Sequence, residues 1–178
     1  MKAAVMLVDG RSGSGKTELA RAVVAGVPGA QLVRLDDLYP GWGGLEAGSR
    51  AAHDQILAAE HPRWRRWDWA AEDYAEWHDL DPALPLVIEG CGALSRANRS
   101  LATFGIWVAL DPETRKRRAL ARDGESYAPH WDGWAAQEEV FLTRENPAAH
   151  ADAVVDGADV VRDLARWRAV LDAARVDG

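Results

Sequence analysis

Residues Gly10 to Thr17 read Gly-Arg-Ser-Gly-Ser-Gly-Lys-Thr, the pattern G-x-x-x-x-G-K-[ST] in full. The apolar run Ala3 to Val8 precedes it and reads as a strand, and Thr17 to Val24 follows it and reads as a helix. No other feature constrains the fold as much. Backbone N–H groups can close round an anion only where residues without Cβ let the chain curl, and the positive end of the following helix adds its attraction. In such a loop Gly10, Ser12, Gly13, Ser14 and Gly15 line the phosphates, Lys16 reaches the β- and γ-phosphates, and the Thr17 hydroxyl ligates Mg²⁺. The chain is expected to bind a nucleoside triphosphate.

Strand and helix signals alternate along the rest of the sequence. Strands are expected at Gln31–Leu35, Leu84–Ile88, Ile106–Leu110 and Ala153–Val155, all short and mostly apolar. Helices are expected over Arg50–Glu60 with Ser49 as cap, from Pro112 to about Asp123-Gly124, over Trp131–Glu145, and over Ala158–Arg175. Part of Arg63–Asp81 also reads as helical. Wholly apolar strands separated by helices indicate a parallel sheet buried on both faces. The expected fold is therefore α/β: a five-stranded parallel sheet flanked by helices, in a single domain spanning 1–178. Ligands of such sheets gather at the carboxyl ends of the strands.

Composition narrows the function classes. A net charge of −7 argues against a general nucleic-acid binder. The single cysteine, Cys91, excludes an internal disulfide framework and suits a reducing cytoplasm. The first apolar stretch is short and runs straight into the loop, so no signal peptide is expected, and no stretch has the length of a membrane span. The five histidines show no metal-ligand spacing, so neither zinc nor haem is expected.

Chemistry-bearing residues fall at the expected strand ends. Asp36-Asp37 follows the second strand at once, where a carboxylate can orient an acceptor hydroxyl and take its proton; the pair also suits an Asx turn or a helix cap. Glu89 ends the run Leu86-Val87-Ile88-Glu89, where an acid approaches Mg²⁺ or its waters. Arg115, Arg118 and Arg122 are spaced three and four apart and share one helix face. As part of a lid over about 115–130 they would bring positive charge onto a transferring phosphoryl group. The segment Trp64-Arg65-Arg66-Trp67-Asp68-Trp69 reads equally as a nucleobase pocket or as a helical-hairpin core with arginine on the surface. Cys91 carries no assignment.

Four stretches together resemble the uridine-kinase and nicotinamide-riboside-kinase branch of the P-loop small-molecule kinases: Val8 to Thr17, Asp36-Asp37-Leu38-Tyr39, Val87-Ile88-Glu89-Gly90, and Asp111 to Asp123. The tail Ala151 to Gly157 resembles that branch's final strand beside the adenine site. Leu38 and Cys91-Gly92-Ala93 depart from its pattern, as do the tryptophan-rich segment and His130 to Trp134. The resemblance implies an ATP- and Mg²⁺-dependent kinase acting on a hydroxyl of a nucleoside-like small molecule. It makes Asp36, rather than Asp37, the base, with Lys16, Arg118 and Arg122 as the other catalytic residues. Arg115 joins the loop in holding the nucleotide; Asp36, Tyr39 and Glu89 face the acceptor; Thr17, Asp36 and Glu89 hold Mg²⁺, partly through water. Apart from the resemblance, the composition of the tryptophan-rich segment places Trp67 beside the acceptor as well. A non-nucleoside alcohol such as an antibiotic, or a regulatory nucleotide switch without a small acceptor, are the rival readings. No nucleic-acid or membrane partner is implied, and a homodimer is left open.

Overall fold

The computed structural model describes residues 3–173. Among the described residues, seven strands and seven α-helices follow in the order β1 (Val5–Asp9), α1 (Lys16–Val24), β2 (Gln31–Arg34), α2 (Leu45–Ala51), β3 (Arg63–Asp68), β4 (Asp73–Asp79), β5 (Leu86–Glu89), α3 (Arg96–Leu101), β6 (Phe104–Ala109), α4 (Pro112–Tyr127), α5 (Trp131–Glu145), α6 (Pro147–His150), β7 (Ala153–Asp156) and α7 (Leu164–Asp172). Five of the strands form the expected parallel sheet, in the order β2-β5-β1-β6-β7.

Alternation along the central strand divides the core in two. Met6 and Val8 point to one face, where they pack with Val87, Ile106 and Val108 beneath α1 and α7. Leu7 points to the other, with Ile88 and Val33 under α2, α5 and the β3–β4 pair. Successive side chains of a strand must face opposite ways, so a strand apolar at every position needs helices on both sides.

The ends of α4 follow the sequence signals. Asp111 accepts the Thr114 N–H at 2.8 Å and Pro112 occupies the first turn. Gly124, at φ 55° and ψ −134°, interrupts the helix where the Asp123-Gly124 pair predicts a stop.

Elsewhere the structure corrects the expectations. Arg63–Asp81 is not helical: β3 and β4 form an antiparallel hairpin. A register shift between Arg65 and Trp67 places Trp64 opposite His78 and Trp67 opposite Tyr74. Those partners lie on one face of β4, so two tryptophans three residues apart share a face of β3 as well. The bulge thus gives a strand the spacing of a helix. The second helix starts at Leu45, not after Ser49, because Gln137 of α5 accepts the Leu45 N–H at 3.3 Å. Ser49 lies inside that helix and donates to the Gly92 carbonyl at 2.7 Å. Its continuation over Ala52–Leu57 is π-helical. Helices α3 and α6 are additional. The closing helix begins at Leu164 rather than Ala158, and its expected end at Arg175 lies outside the described residues. Among the described residues no helix is long and apolar enough to cross a membrane.

Candidate active site

The loop after β1 closes as its glycines require. Gly13 has φ 80° and Gly15 φ 103°, conformations that L side chains rarely adopt. A Cβ at Gly13 would also run into the carbonyl of Arg115. Lys16 begins α1, is buried, and donates from Nζ to the Arg11 carbonyl at 3.2 Å. Burial works against its ammonium, but Cys91 and then the carboxylates of Glu89, Glu138 and Asp36 outweigh that and hold its pKa above the ordinary lysine value. The Ser14 hydroxyl is buried without a hydrogen-bond partner. A loop with N–H groups at a helix start, a charged lysine and a spare hydroxyl fits a triphosphate.

Asp9, the last residue of β1, is buried and organises the crossing of two loops. Its carboxylate accepts N–H bonds from Gly10 at 2.6 Å, Leu94 at 2.8 Å and Gly92 at 3.2 Å. Burial prevails over those bonds and Lys16, and pushes its pKa up to about 6. The folded protein then binds this proton more tightly than the unfolded chain does. Stability contributed at Asp9 therefore falls as pH rises from about 4 to about 6, by on the order of 3 kcal/mol. Melting curves of the parent and Asp9→Asn should diverge over that range, the parent losing ground as pH rises; parallel curves would refute the assignment.

The strand register brings three charged groups to one end of the sheet. Glu89 stands beside Val8 on one side and Arg34 on the other. Its carboxylate, 2% exposed, accepts from Thr17 Oγ1 at 2.8 Å and from Arg34 Nε at 3.4 Å. Burial and then Asp36 raise its pKa, while Lys16, Thr17 and Arg34 oppose them. Arg34 reaches the partly exposed Asp36 through Nη2 at 3.3 Å. One hydroxyl and two carboxylates make an all-oxygen donor set that fits Mg²⁺. Asp37 lines neither cavity described below and is raised chiefly by burial, against Arg34, Arg66 and His78.

Two adjoining cavities open on this cluster, of about 440 and 750 Å³. Gly13, Lys16, Thr17, Asp36, Arg122 and Asp123 line both. The smaller is walled by Tyr39, Trp42, Trp69, Tyr127 and Trp134, with Glu89 at its base. The larger adds Arg21, Arg34 and Arg118. Arg118 also donates to the Gly157 carbonyl at 2.7 Å, and Arg122 pairs with Asp123.

Most of the residues singled out in the sequence thus line these cavities; Gly10 and the buried Ser14 stay within the loop, and Arg115 and Trp67 lie elsewhere. Arg115 is buried beneath the loop, where it donates to the carbonyls of Leu110 and Ser12 at 3.1 and 3.3 Å. Trp67 packs against Tyr74 across the hairpin and lines neither cavity; Trp69, in the turn after β3 that the Asp68 carboxylate closes, faces the site instead, its Nε1 donating to the Asp36 carbonyl at 3.0 Å. Trp42 stacks on His130 with ring centroids 4.3 Å apart and stands 4.9 Å from Trp69. Neither Trp42 nor Glu138 was legible as a site residue. Trp42 sits in a Gly-rich loop that could have drawn notice; Glu138 reaches the loop from 126 residues away, and no local pattern marks it.

A five-stranded parallel sheet in this order, with a glycine-rich loop between β1 and α1, is a fold this chain shares with solved kinase structures. Among solved structures the chain is similar to a possible uridine kinase from Bacillus stearothermophilus, with a TM-score of 0.58, 19% identity, and coverage of 88% of this chain and 90% of that one. It is also similar to TT1252 from Thermus thermophilus, at TM-score 0.56 and 19% identity over 100% of both chains. A gluconokinase from Sinorhizobium meliloti 1021 gives TM-score 0.50 and 18% identity, over 96% and 90%. No family model matches the sequence, and no curated protein matches it. At these identities the likeness is one of fold.

Proposed function

We propose that the protein is an ATP-dependent small-molecule kinase of the cytoplasm, transferring the γ-phosphoryl group to a hydroxyl of a nucleoside-like acceptor. The observation that carries this reading is the aromatic cavity that opens beside the phosphate loop with Asp36 at its edge. Asp36 accepts the proton of the acceptor hydroxyl, and its ion pair with Arg34 steadies the carboxylate for that role. Lys16, Arg118 and Arg122 set positive charge along the path of the transferring group. Bound Mg²⁺ would neutralise phosphate charge, and Thr17, Asp36 and Glu89 are the residues that would hold it, in part through water.

The wall favours a flat acceptor over a polyol. Three of its polar atoms are already engaged inside the protein: Trp69 Nε1 with the Asp36 carbonyl, Tyr127 Oη with Ser12 Oγ, and Tyr39 Oη with the Cys91 carbonyl. What they leave toward the cavity is ring surface, which stacks on a planar ring and gives sugar hydroxyls little to bond. In an ATP-consumption assay ribonucleosides should therefore outpace sugars and sugar acids; the reverse order would overturn the reading. Trp69→Ala should raise the acceptor KM about tenfold with kcat nearly unchanged, since one stacking face is worth ~1–3 kcal/mol. An aryl alcohol without ribose would meet the same wall, and failure of all nucleosides to compete would favour it.

A further inference from the structure

Ser12 is fastened on three sides by residues from the segment that follows β6. Its N–H donates to Glu138 Oε1 at 2.6 Å, its carbonyl accepts from Arg115 Nη1 at 3.3 Å, and its hydroxyl accepts from Tyr127 Oη at 2.9 Å. Glu138, on α5, is 3% exposed. Its second oxygen accepts from Arg11 Nε at 2.9 Å, and the Cys91 thiol donates to the first at 3.3 Å. Arg11 in turn reaches Glu139 at 3.1 Å and the Ala135 carbonyl at 3.3 Å, so the loop and α5 are tied along a full helical turn.

A buried carboxylate against an anion-binding loop opposes the ligand by charge, and Glu138 is near enough to Lys16 to hold its proton more firmly. Simple packing would be served better by an apolar side chain. What a carboxylate or amide supplies and a hydrocarbon does not is an acceptor for the Ser12 N–H. We propose that Glu138 is a positioning residue of the phosphate loop. By accepting that N–H it fixes the middle of the loop, so that the donors from Gly13 into the first turn of α1 stand preorganised for the phosphates. Because the same stretch of chain carries the aromatic wall at Tyr127 and Trp134, Ser12 also joins the acceptor side of the site to the donor side. The inference rests on the reading of the loop as a triphosphate site, and leaves the acceptor's identity aside.

The test is a matched pair, Glu138→Gln and Glu138→Met, titrated with mant-ATP and Mg²⁺. Both remove the charge and keep the volume, but only glutamine can still accept from Ser12. Glutamine should bind within about threefold of the parent, or more tightly once the opposing charge is gone. Methionine should bind about tenfold more weakly than glutamine, the worth of one buried hydrogen bond, at a similar melting temperature. The weaker binding should appear in the KM for ATP, with the acceptor KM unchanged. Equal affinity in the two folded variants overturns the proposal. If the methionine variant does not fold, Glu138→Leu makes the same contrast with glutamine and should weaken mant-ATP binding about tenfold; equal affinity there overturns it equally. A parent protein that binds no mant-ATP would instead overturn the triphosphate reading itself, with parent and variants alike failing.

Discussion

Lys16→Ala should reduce phosphoryl transfer by about 10³-fold, the upper end of what one preorganised charge stabilising a transition state contributes. Lys16 is the cation built into the loop and lines both cavities, so it stands where donor and acceptor must meet. The surrounding carboxylates keep its amine charged despite burial, so the full charge is lost on substitution. They would also be left without a counter-charge, which should weaken mant-ATP binding as well as turnover. A coupled ATP-consumption assay and a binding titration read the two effects separately, and a melting curve verifies that the variant is folded. Activity within tenfold of the parent would mean that this loop is not the donor site.

Asp36→Asn should lower kcat by ~10²–10⁴-fold, the usual contribution of a positioned base, while leaving the mant-ATP Kd within about threefold. The substitution keeps shape and removes the basic oxygen. It also breaks the pair with Arg34, but that pair is partly exposed, so a stability loss below about 1 kcal/mol is expected. Asp37→Asn is the natural control. Asp37 lines neither cavity, and its variant should stay within about threefold of the parent. Full activity in Asp36→Asn, or equal losses in the two variants, would remove Asp36 from the role of base.

Much of this site could be read from the chain because its parts are local. The phosphate loop is eight consecutive residues whose backbone conformation depends on glycine at fixed places, and Gly13 and Gly15 adopt it. Glu89 ends a strand and Asp36 follows one by two residues, the apolar runs announce both, and a parallel sheet brings the carboxyl ends of such strands to one edge. The arginines of α4 were legible as a face, but not as separate destinations. Arg115 and Arg118 are three residues apart, yet one goes beneath the loop and the other into the larger cavity.

The sequence by itself therefore determined the phosphate loop, the buried parallel sheet and the edge at which the chemistry gathers. Each follows from short-range rules: glycine backbone freedom, unbroken apolar runs and capping residues. Only the tertiary structure decided the acceptor side. The turn that follows β3 puts Trp69 rather than Trp67 at the site, and a long-range contact from Gln137 sets where α2 begins and how the Trp42 loop lies. Glu138 meets Ser12 across 126 residues of chain. Such contacts leave no periodic trace, because they depend on how finished elements pack against one another, and the aromatic wall of the smaller cavity is made almost wholly of them.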